Sequence, residues 1–436
     1  MNGFSFQSGT NQAYQSADDV PDDRSFSDSF LTAEDLEYGP VQDSIMNREF
    51  GLPGPWNFSC SNRLIPNKLY SEGPLFDNWV FNGQFSQSGD MYYCTTQKQI
   101  RIFNTTDPLN WTLQKSLDVN GSFWSFNDVD LSPCEKYLIL SSFESKLRLT
   151  PIDDSNIDDY NFTQGSINGV TTYDAIDTNA GIFSVKFSGD SNKVIVGTNR
   201  RSLEMYDLVK KKLVCSVQKA HDDDVNSVCF MDPEKSNIIA SGSDESCIKI
   251  WDLRCLKYDG LPQGVLVGHR EGVTYVSPKY DGISLVSNSK DQTLKLWDIR
   301  TMTSQKVYIE FKRSHRYQTY FDYRWERYPL KNYTKKLAAD TSLMTFRGHA
   351  VFGTCIRCFF SPLFSTGQRF IYTGSSDGDV HIFDSVTGKT ARILKDPYDG
   401  PLQETKLIRD VSWHPFVPLL CAASFRKTIL SYNYSS

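Results

Sequence analysis

Two stretches decide how this chain folds: Ser241-Gly242-Ser243-Asp244-Glu245-Ser246-Cys247-Ile248-Lys249-Ile250-Trp251-Asp252 and Ser287-Asn288-Ser289-Lys290-Asp291-Gln292-Thr293-Leu294-Lys295-Leu296-Trp297-Asp298. Each reads as the end of one strand, a tight polar turn, and a second strand that alternates up to a closing Trp-Asp. Weaker copies of the template end at Phe103, Thr150, Tyr206, Phe383 and Tyr432. The seven marks are separated by 47, 56, 45, 46, 86 and 49 residues. A fixed period of this size signals stacked units, since one unit alone cannot bury its apolar face. The longest gap is one repeat plus an insertion of about 40 residues.

A second pattern, apolar-x-x-apolar-x-aromatic, runs ahead of the marks. It appears as Ile182-Phe183-Ser184-Val185-Lys186-Phe187, as Val225-Asn226-Ser227-Val228-Cys229-Phe230 and as Ile408-Arg409-Asp410-Val411-Ser412-Trp413. Turn residues follow, such as Ser188-Gly189-Asp190, Ser361-Pro362 and His414-Pro415. No sustained helical period is visible in the repeat region. The chain is therefore expected to be all-β, a seven-bladed β-propeller of the WD40 type over residues 58–436, with an insertion at 301–345. The last repeat stops after its third strand near Tyr432. The stretch from Asn62 to Leu69 is expected to supply the fourth, closing the ring and removing its free edges.

In WD repeats a loop His, a strand Ser/Thr, a turn Asp and the Trp form a buried hydrogen-bonded network. The fifth repeat has the full set, in His269, Ser287, Asp291 and Trp297. The sixth has His349 and Asp377, but Phe383 has no indole N–H to donate. In the fourth, Glu245 stands at the Asp position, which leaves its network open. Repeats one to three and seven have lost most of these groups and are expected to rely on packing.

Composition narrows the function. Hydrophobic residues make up 39% and aromatics 13%, ample for a large core, and the net charge of −6 disfavours a general nucleic-acid or membrane binder. No apolar run reaches the length of a membrane span, and the first residues lack a secretory pattern, which points to nucleus and cytoplasm. The ten cysteines are scattered rather than set out as a disulfide framework. Residues 1–57 carry ten acids against two bases and read as a solvated, disordered tail. The insertion reverses this, with nine Lys/Arg, four Asp/Glu and nine aromatics around Phe321-Asp322-Tyr323-Arg324-Trp325-Glu326-Arg327-Tyr328. Such interleaving can stack on single-stranded nucleic acid, but aromatics this dense more often pack an excursion onto the flank of a barrel.

Catalytic constellations fail on inspection. His221, followed by Asp222, Asp223 and Asp224, offers metal-ligand types, yet His221 falls at the loop His of the repeat. Cys355 and Cys358 have zinc-like spacing without a second pair, in a segment expected to be a strand. His414 falls in a turn and His381 at a strand position expected to be exposed. The chain shows no phosphate loop and no nucleophile elbow. The expectation is a non-enzymatic protein without cofactor or metal.

Two consecutive repeats end in Trp251-Asp252-Leu253-Arg254 and Trp297-Asp298-Ile299-Arg300. This Trp-Asp-x-Arg box resembles that of the WD-repeat substrate receptors of cullin-4 ubiquitin ligases, which dock on the damaged-DNA-binding adaptor protein. The resemblance implies that Arg254 and Arg300, with Asp252 and Asp298, lie on the narrow bottom rim and contact the adaptor and, through it, cullin-4. A planar guanidinium suits that task because it can bond carboxylates or carbonyls in a fork. Over roughly residues 60–434 the chain resembles one branch of this family more closely. The likeness runs through Asp322-Tyr323-Arg324-Trp325, Ser342-Leu343-Met344-Thr345, Arg347-Gly348-His349, Ser365-Thr366-Gly367-Gln368 and Arg409-Asp410-Val411-Ser412-Trp413-His414-Pro415-Phe416. The family usually carries a longer region ahead of the propeller.

The resemblance implies a receptor that presents a protein target, with a stress-response basic-leucine-zipper transcription factor as one substrate. By register, the substrate face is expected to include Trp79, Phe81, Asn127, Phe143, Phe183, Asn199, Asn226, Lys290, Arg409 and Phe425. The rival readings are a WD scaffold of some other complex and an RNA-binding propeller.

Overall fold

The computed structural model describes residues 64–118, 125–153, 180–234, 237–256, 260–314, 322–329, 337, 339–396 and 406–435, with backbone alone at Thr171–Asp174, Phe311 and Ser314. The chain divides after Phe58 into two units. The first, which holds the acidic segment 1–57, lies outside the described residues, as do parts of the insertion. The second is built from seven four-stranded antiparallel sheets; in six of them each strand pairs with its sequence neighbour, and the seventh joins the two ends of the described chain. We letter the strands a to d outward from the central channel; the a strands of successive blades are the ones that meet. This is the expected seven-bladed propeller.

Alternation explains how blades stack. In strand c of blade 4, Cys247–Asp252, Trp251 packs inward with Val225, Val228 and Ile195 of the preceding side. Ile248 and Ile250 point the other way, to Val273, Val276 and Trp297 of blade 5. Each strand thus feeds two inter-blade cores, as a period of two requires. The ring closes as expected in kind but later in sequence. Lys68–Glu72, not Asn62–Leu69, pairs with Thr428–Asn433 as strand d of blade 7. Pro66 has no N–H to offer a ladder, and Ile65 is instead buried among Leu394, Trp413 and Tyr432.

Strand a begins with the same irregularity in five blades. Ile182 pairs Thr198 and Ser184 pairs Gly197, so Phe183 is an extra residue in the ladder. Asn127, Asn226, Thr274 and Arg409 are extra in the same way in blades 2, 4, 5 and 7. A bulge re-aims its side chain, and most of these reach the neighbouring blade. Asn127 Nδ2 donates to Ile182 O at 3.1 Å, Asn226 Nδ2 to Val273 O at 2.8 Å, Thr274 Oγ1 to Ile356 O at 3.2 Å and Arg409 Nη1 to Phe81 O at 2.8 Å. The next residue forms a second latch by accepting an N–H from the following blade. Asp128 takes Val185 N, Ser184 takes Val228 N, Ser227 takes Val276 N and Asp410 takes Gly83 N. Blades without the Trp network therefore do not rest on packing alone.

The network itself is complete in two blades. In blade 5, Trp297 Nε1 donates to Ser287 Oγ at 2.7 Å, Ser287 meets His269 Nε2 at 2.7 Å, and His269 Nδ1 lies 3.2 Å from Asp291. Blade 4 is its equal, with Glu245 in the place of the Asp: Trp251 to Ser241 is 2.8 Å, Ser241 to His221 is 2.6 Å, and His221 to Glu245 is 2.6 Å. The longer Glu also reaches Lys249, Lys312 and Tyr308. Blade 6 departs from the expectation. His349 does not meet Asp377; its Nε2 bonds Asn288 Oδ1 of blade 5 at 2.8 Å. Asp377 is exposed, and His381, expected to be exposed, is buried. Thr373, at the place of Ser287, has its hydroxyl turned to Arg357 O at 2.9 Å and Gly374 O at 3.0 Å, away from His349.

The insertion contains a helix that no period in the sequence suggested, Gln305–Ser314, here α1. Thr303 exchanges two backbone hydrogen bonds with Val265, covering the outer edge of blade 4. Tyr308 is buried against Cys247, Val265 and Val267, and Lys312 pairs with Asp222 and Glu245. Further on, Tyr323 lies under the Lys290 ammonium, 4.3 Å from its ring centre. These aromatics pack on the flank and over blade 5.

Candidate interaction surfaces

Antiparallel blades have two ends: the a–b and c–d connections share one, the b–c and d–a connections the other. Arg254 and Arg300 follow strand c of blades 4 and 5 and so share the first end. The local reason for their geometry is the Asp two residues earlier. Asp252 Oδ1 accepts the Arg254 backbone N–H at 2.9 Å, and this turn folds the guanidinium back onto the same carboxylate, Nε at 2.9 Å and Nη2 at 2.5 Å. Asp298 holds Arg300 alike, at 2.8, 3.0 and 2.6 Å. Each guanidinium keeps its Asp carboxyl below the usual range. The arginine side chains stay 69% and 71% exposed, and Nη1 of each has no partner among the described residues. An exposed pair of this sort adds little stability but presents a fixed donor.

The same end carries an apolar arc that the sequence reading missed. Tyr280 stands in the a–b turn of blade 5, Leu363 and Phe364 in that of blade 6, and Phe416 in that of blade 7, all exposed. The rings of Phe364 and Phe416 are 5.3 Å apart. Leu363 to Thr366 forms a single helical turn, α2, after Pro362. A large apolar residue straight after a turn proline was the available signal.

At the opposite end the expected substrate-face residues separate into two groups. Trp79 stacks on Phe425 at 4.9 Å with Phe81 edge-on, and Phe143 meets Phe183 edge-on at 5.2 Å. Trp79 and Phe143 are exposed, while Phe425 is buried beneath Trp79. The polar members are turned inward instead. Asn226 and Arg409 are buried in the latches described above, and Asn127 shares that role. Asn199 Oδ1 accepts Gly181 N–H at 2.8 Å, and Lys290 is held by Asp244 at 2.7 Å. Trp325, on the insertion, is the exposed aromatic at this end that the register argument left out.

Between the ends runs a charged axis that the sequence reading also missed. Arg357 of blade 6 is buried and pairs with Asp128 of blade 2 at 2.8 Å and Asp410 of blade 7 at 3.2 Å. Lys186 of blade 3 pairs with Asp128 at 3.2 Å and Asp130 at 3.4 Å. Burial raises the carboxyl of Asp410 despite Arg357, whereas Asp128 stays low because burial is outweighed by Lys186 and Arg357. Burial and the neighbouring Arg357 lower Arg409 to about 10. Cys355 Sγ lies 3.5 Å from Tyr323 Oη, whereas Cys358 is buried in strand a of blade 6. Among the described residues no helix is long and apolar enough to cross a membrane.

Known proteins bear on this geometry. The family described as WD domain, G-beta repeat matches residues 212–252, 260–298 and 340–384, each match running from strand d of one blade to strand c of the next. The LEC14B protein of Lithospermum erythrorhizon is 38% identical over 406 residues, 89% of this chain and 81% of that protein. The LEC14B homolog of Prunus armeniaca is 37% identical over 397 residues, 89% of this chain and 76% of its own length. The DDB1- and CUL4-associated factor 11 homolog of Caenorhabditis elegans is 33% identical over 386 residues, 85% of this chain and 64% of that protein. This last is the branch, cullin-4-associated factor eleven, to which the insertion and loop motifs pointed. The chain belongs to the family of WD-repeat propellers that contains the LEC14B proteins and the DDB1- and CUL4-associated factor 11 homologues.

Proposed function

We propose that this chain is the substrate-recognition subunit of a cullin-4 RING ubiquitin ligase, docked on the DDB1 adaptor by the end that carries Arg254 and Arg300. The observation behind this reading is the pair of exposed Asp-x-Arg forks on adjacent blades. The printed name of the C. elegans relative associates that protein with DDB1 and CUL4. The apolar arc of Tyr280, Leu363, Phe364 and Phe416 at the same end extends the surface with the large side chains that anchor interfaces. The opposite end, with Trp79 and Phe143 exposed, is the face proposed for substrate, a stress-response basic-leucine-zipper factor among the candidates.

The mechanism needs no chemistry from this chain. Holding a target beside the ubiquitin-loaded partner raises the local concentration of its lysines. The protein is proposed to be non-enzymatic and to work in nucleus and cytoplasm. The packed Tyr308 and Tyr323 favour a bracing insertion over an RNA-binding one.

A pull-down of DDB1 and cullin-4 with the native chain and with Arg254→Ala plus Arg300→Ala tests the proposal. Recovery by the native chain and loss in the folded double variant is the expected result. Equal recovery by both would remove the arginines from the interface. Recovery by neither would leave a WD scaffold of another complex.

A further inference from the structure

The b–c turn of blade 6 holds donors that neither surface uses. Asp377, Asp379 and His381 each offer a ligand atom there, all within 4.8 Å of one another. His381 is 4% exposed, and neither of its ring nitrogens has a hydrogen-bond partner among the described residues. Native interiors rarely leave a buried polar group in that state. The turn fixes one oxygen of each carboxylate: Asp377 Oδ1 accepts Asp379 N–H at 3.1 Å, and Asp379 Oδ1 accepts Asp396 N–H at 3.2 Å.

The other blades show what is missing. Counted back from the closing aromatic, His381 stands where blade 4 has Lys249 and blade 5 has Lys295. Asp377 stands where blade 4 has Glu245, and Asp379 where it has Cys247. Lys249 Nζ lies 2.9 Å from Glu245, and Lys295 Nζ lies 2.7 Å from Asp340. Blades 4 and 5 thus carry a built-in cation at this position. Blade 6 instead gathers two carboxylates and an imidazole there.

We propose that Asp377, Asp379 and His381 form a binding site for a divalent transition-metal ion, with zinc as the reference ion. A neutral imidazole with two carboxylates is a donor set that zinc accepts, completed by water. The exposed Asp377 gives the ion its entry. His349, whose Nδ1 is also unpartnered, stands beside it with ring centres 6.3 Å apart. The ion does for blade 6 what Lys249 does for blade 4. The comparable group His221, Glu245 and Cys247 is already satisfied, since both nitrogens of His221 are bonded and Lys249 and Lys312 neutralise Glu245.

Titration calorimetry of the chelator-treated full chain with zinc chloride tests this, with His381→Lys as the variant that restores the residue of blades 4 and 5. The native chain should bind one zinc more than the variant, and zinc should raise the unfolding midpoint of the native chain alone. Cobalt loaded in place of zinc should give ligand-field bands without thiolate charge transfer, which separates this site from the cysteines. Equal zinc uptake by both proteins, or a thiolate spectrum, would overturn the proposal. Asp379→Asn carries the same comparison if His381→Lys does not fold.

Discussion

In blade 5 the indole of Trp297 donates to Ser287, and that hydroxyl holds His269 against its neighbour strand. In blade 2 the register puts Thr150 and Leu140 at the corresponding places, so nothing within the blade can make those bonds. Blade 2 is held across its edges instead: Asn127 and Asp128 bind blade 3, and Arg357 reaches Asp128 from blade 6. Blade 5 has an internal lock besides its edge contacts, and blade 2 has the edge contacts. A repeat that has lost its signature residues can therefore keep its geometry, provided the bulge at the start of strand a delivers polar groups to the next blade.

Breaking the axis should have the largest effect. Asp128→Ala leaves Arg357 and Lys186 buried with one carboxylate fewer, which costs about 3–5 kcal/mol when a buried pair loses one member. Urea unfolding would measure it, and a loss below about 1 kcal/mol would show that the latch does not stand in for the network.

Acid titration sharpens the other half of the comparison. Although burial works against it, His269 and the bonds from Thr293 and Arg270 hold the Asp291 carboxyl at about 2. A depressed carboxyl adds stability above its unfolded pKa of about 3.9, and that contribution disappears as pH falls toward the folded value. The native chain should lose about 2–3 kcal/mol, progressively between about pH 5 and pH 1, that Asp291→Asn, already weaker at neutral pH, does not lose. Parallel pH profiles of the two would place the network's stability elsewhere.

Trp297→Phe gives blade 5 the aromatic of blade 6. Ser287 and His269 lose their indole anchor and some volume is left empty, a cost of about 2 kcal/mol. If His269 also turns away from Ser287, as His349 does in blade 6, the chemical shifts of its ring should move. An unmoved ring would mean that Asp291, which blade 6 replaces with an exposed Asp377, is the deciding residue.

The blade count and the place of the Trp-Asp boxes were legible because alternation and turn chemistry are local. The closing strand was found within a few residues and misplaced by Pro66. The central axis was hidden because Asp128, Arg357 and Asp410 are far apart in sequence and meet only when the ring closes. The bulge explains the errors on the substrate face: counting by two assigns Asn127, Asn226 and Arg409 outward, and one extra residue turns each inward. The aromatics Trp79 and Phe143 escaped that error because they sit in loops. Helix α1 escaped notice because Val307 and Ile309 are exposed, and among its described side chains only Tyr308 is deeply buried.

The smallest effect on stability comes from the rim, and that makes it informative. Arg300→Lys keeps the positive charge, and Asp298 still accepts the backbone N–H of residue 300, so the turn survives. The exposed ion pair it disturbs adds little stability, so the unfolding midpoint should not move. A lysine ammonium cannot reproduce the fork that Nε and Nη2 make with Asp298 while leaving Nη1 to a partner. Capture of DDB1 by the lysine variant should therefore fall in a protein as stable as the native one. If lysine serves as well as arginine, the rim acts through charge alone, and capture should then weaken with added salt as a screened contact does. The apolar arc of Phe364 and Phe416 would in that case carry the specificity, and Phe364→Ala would become the decisive variant.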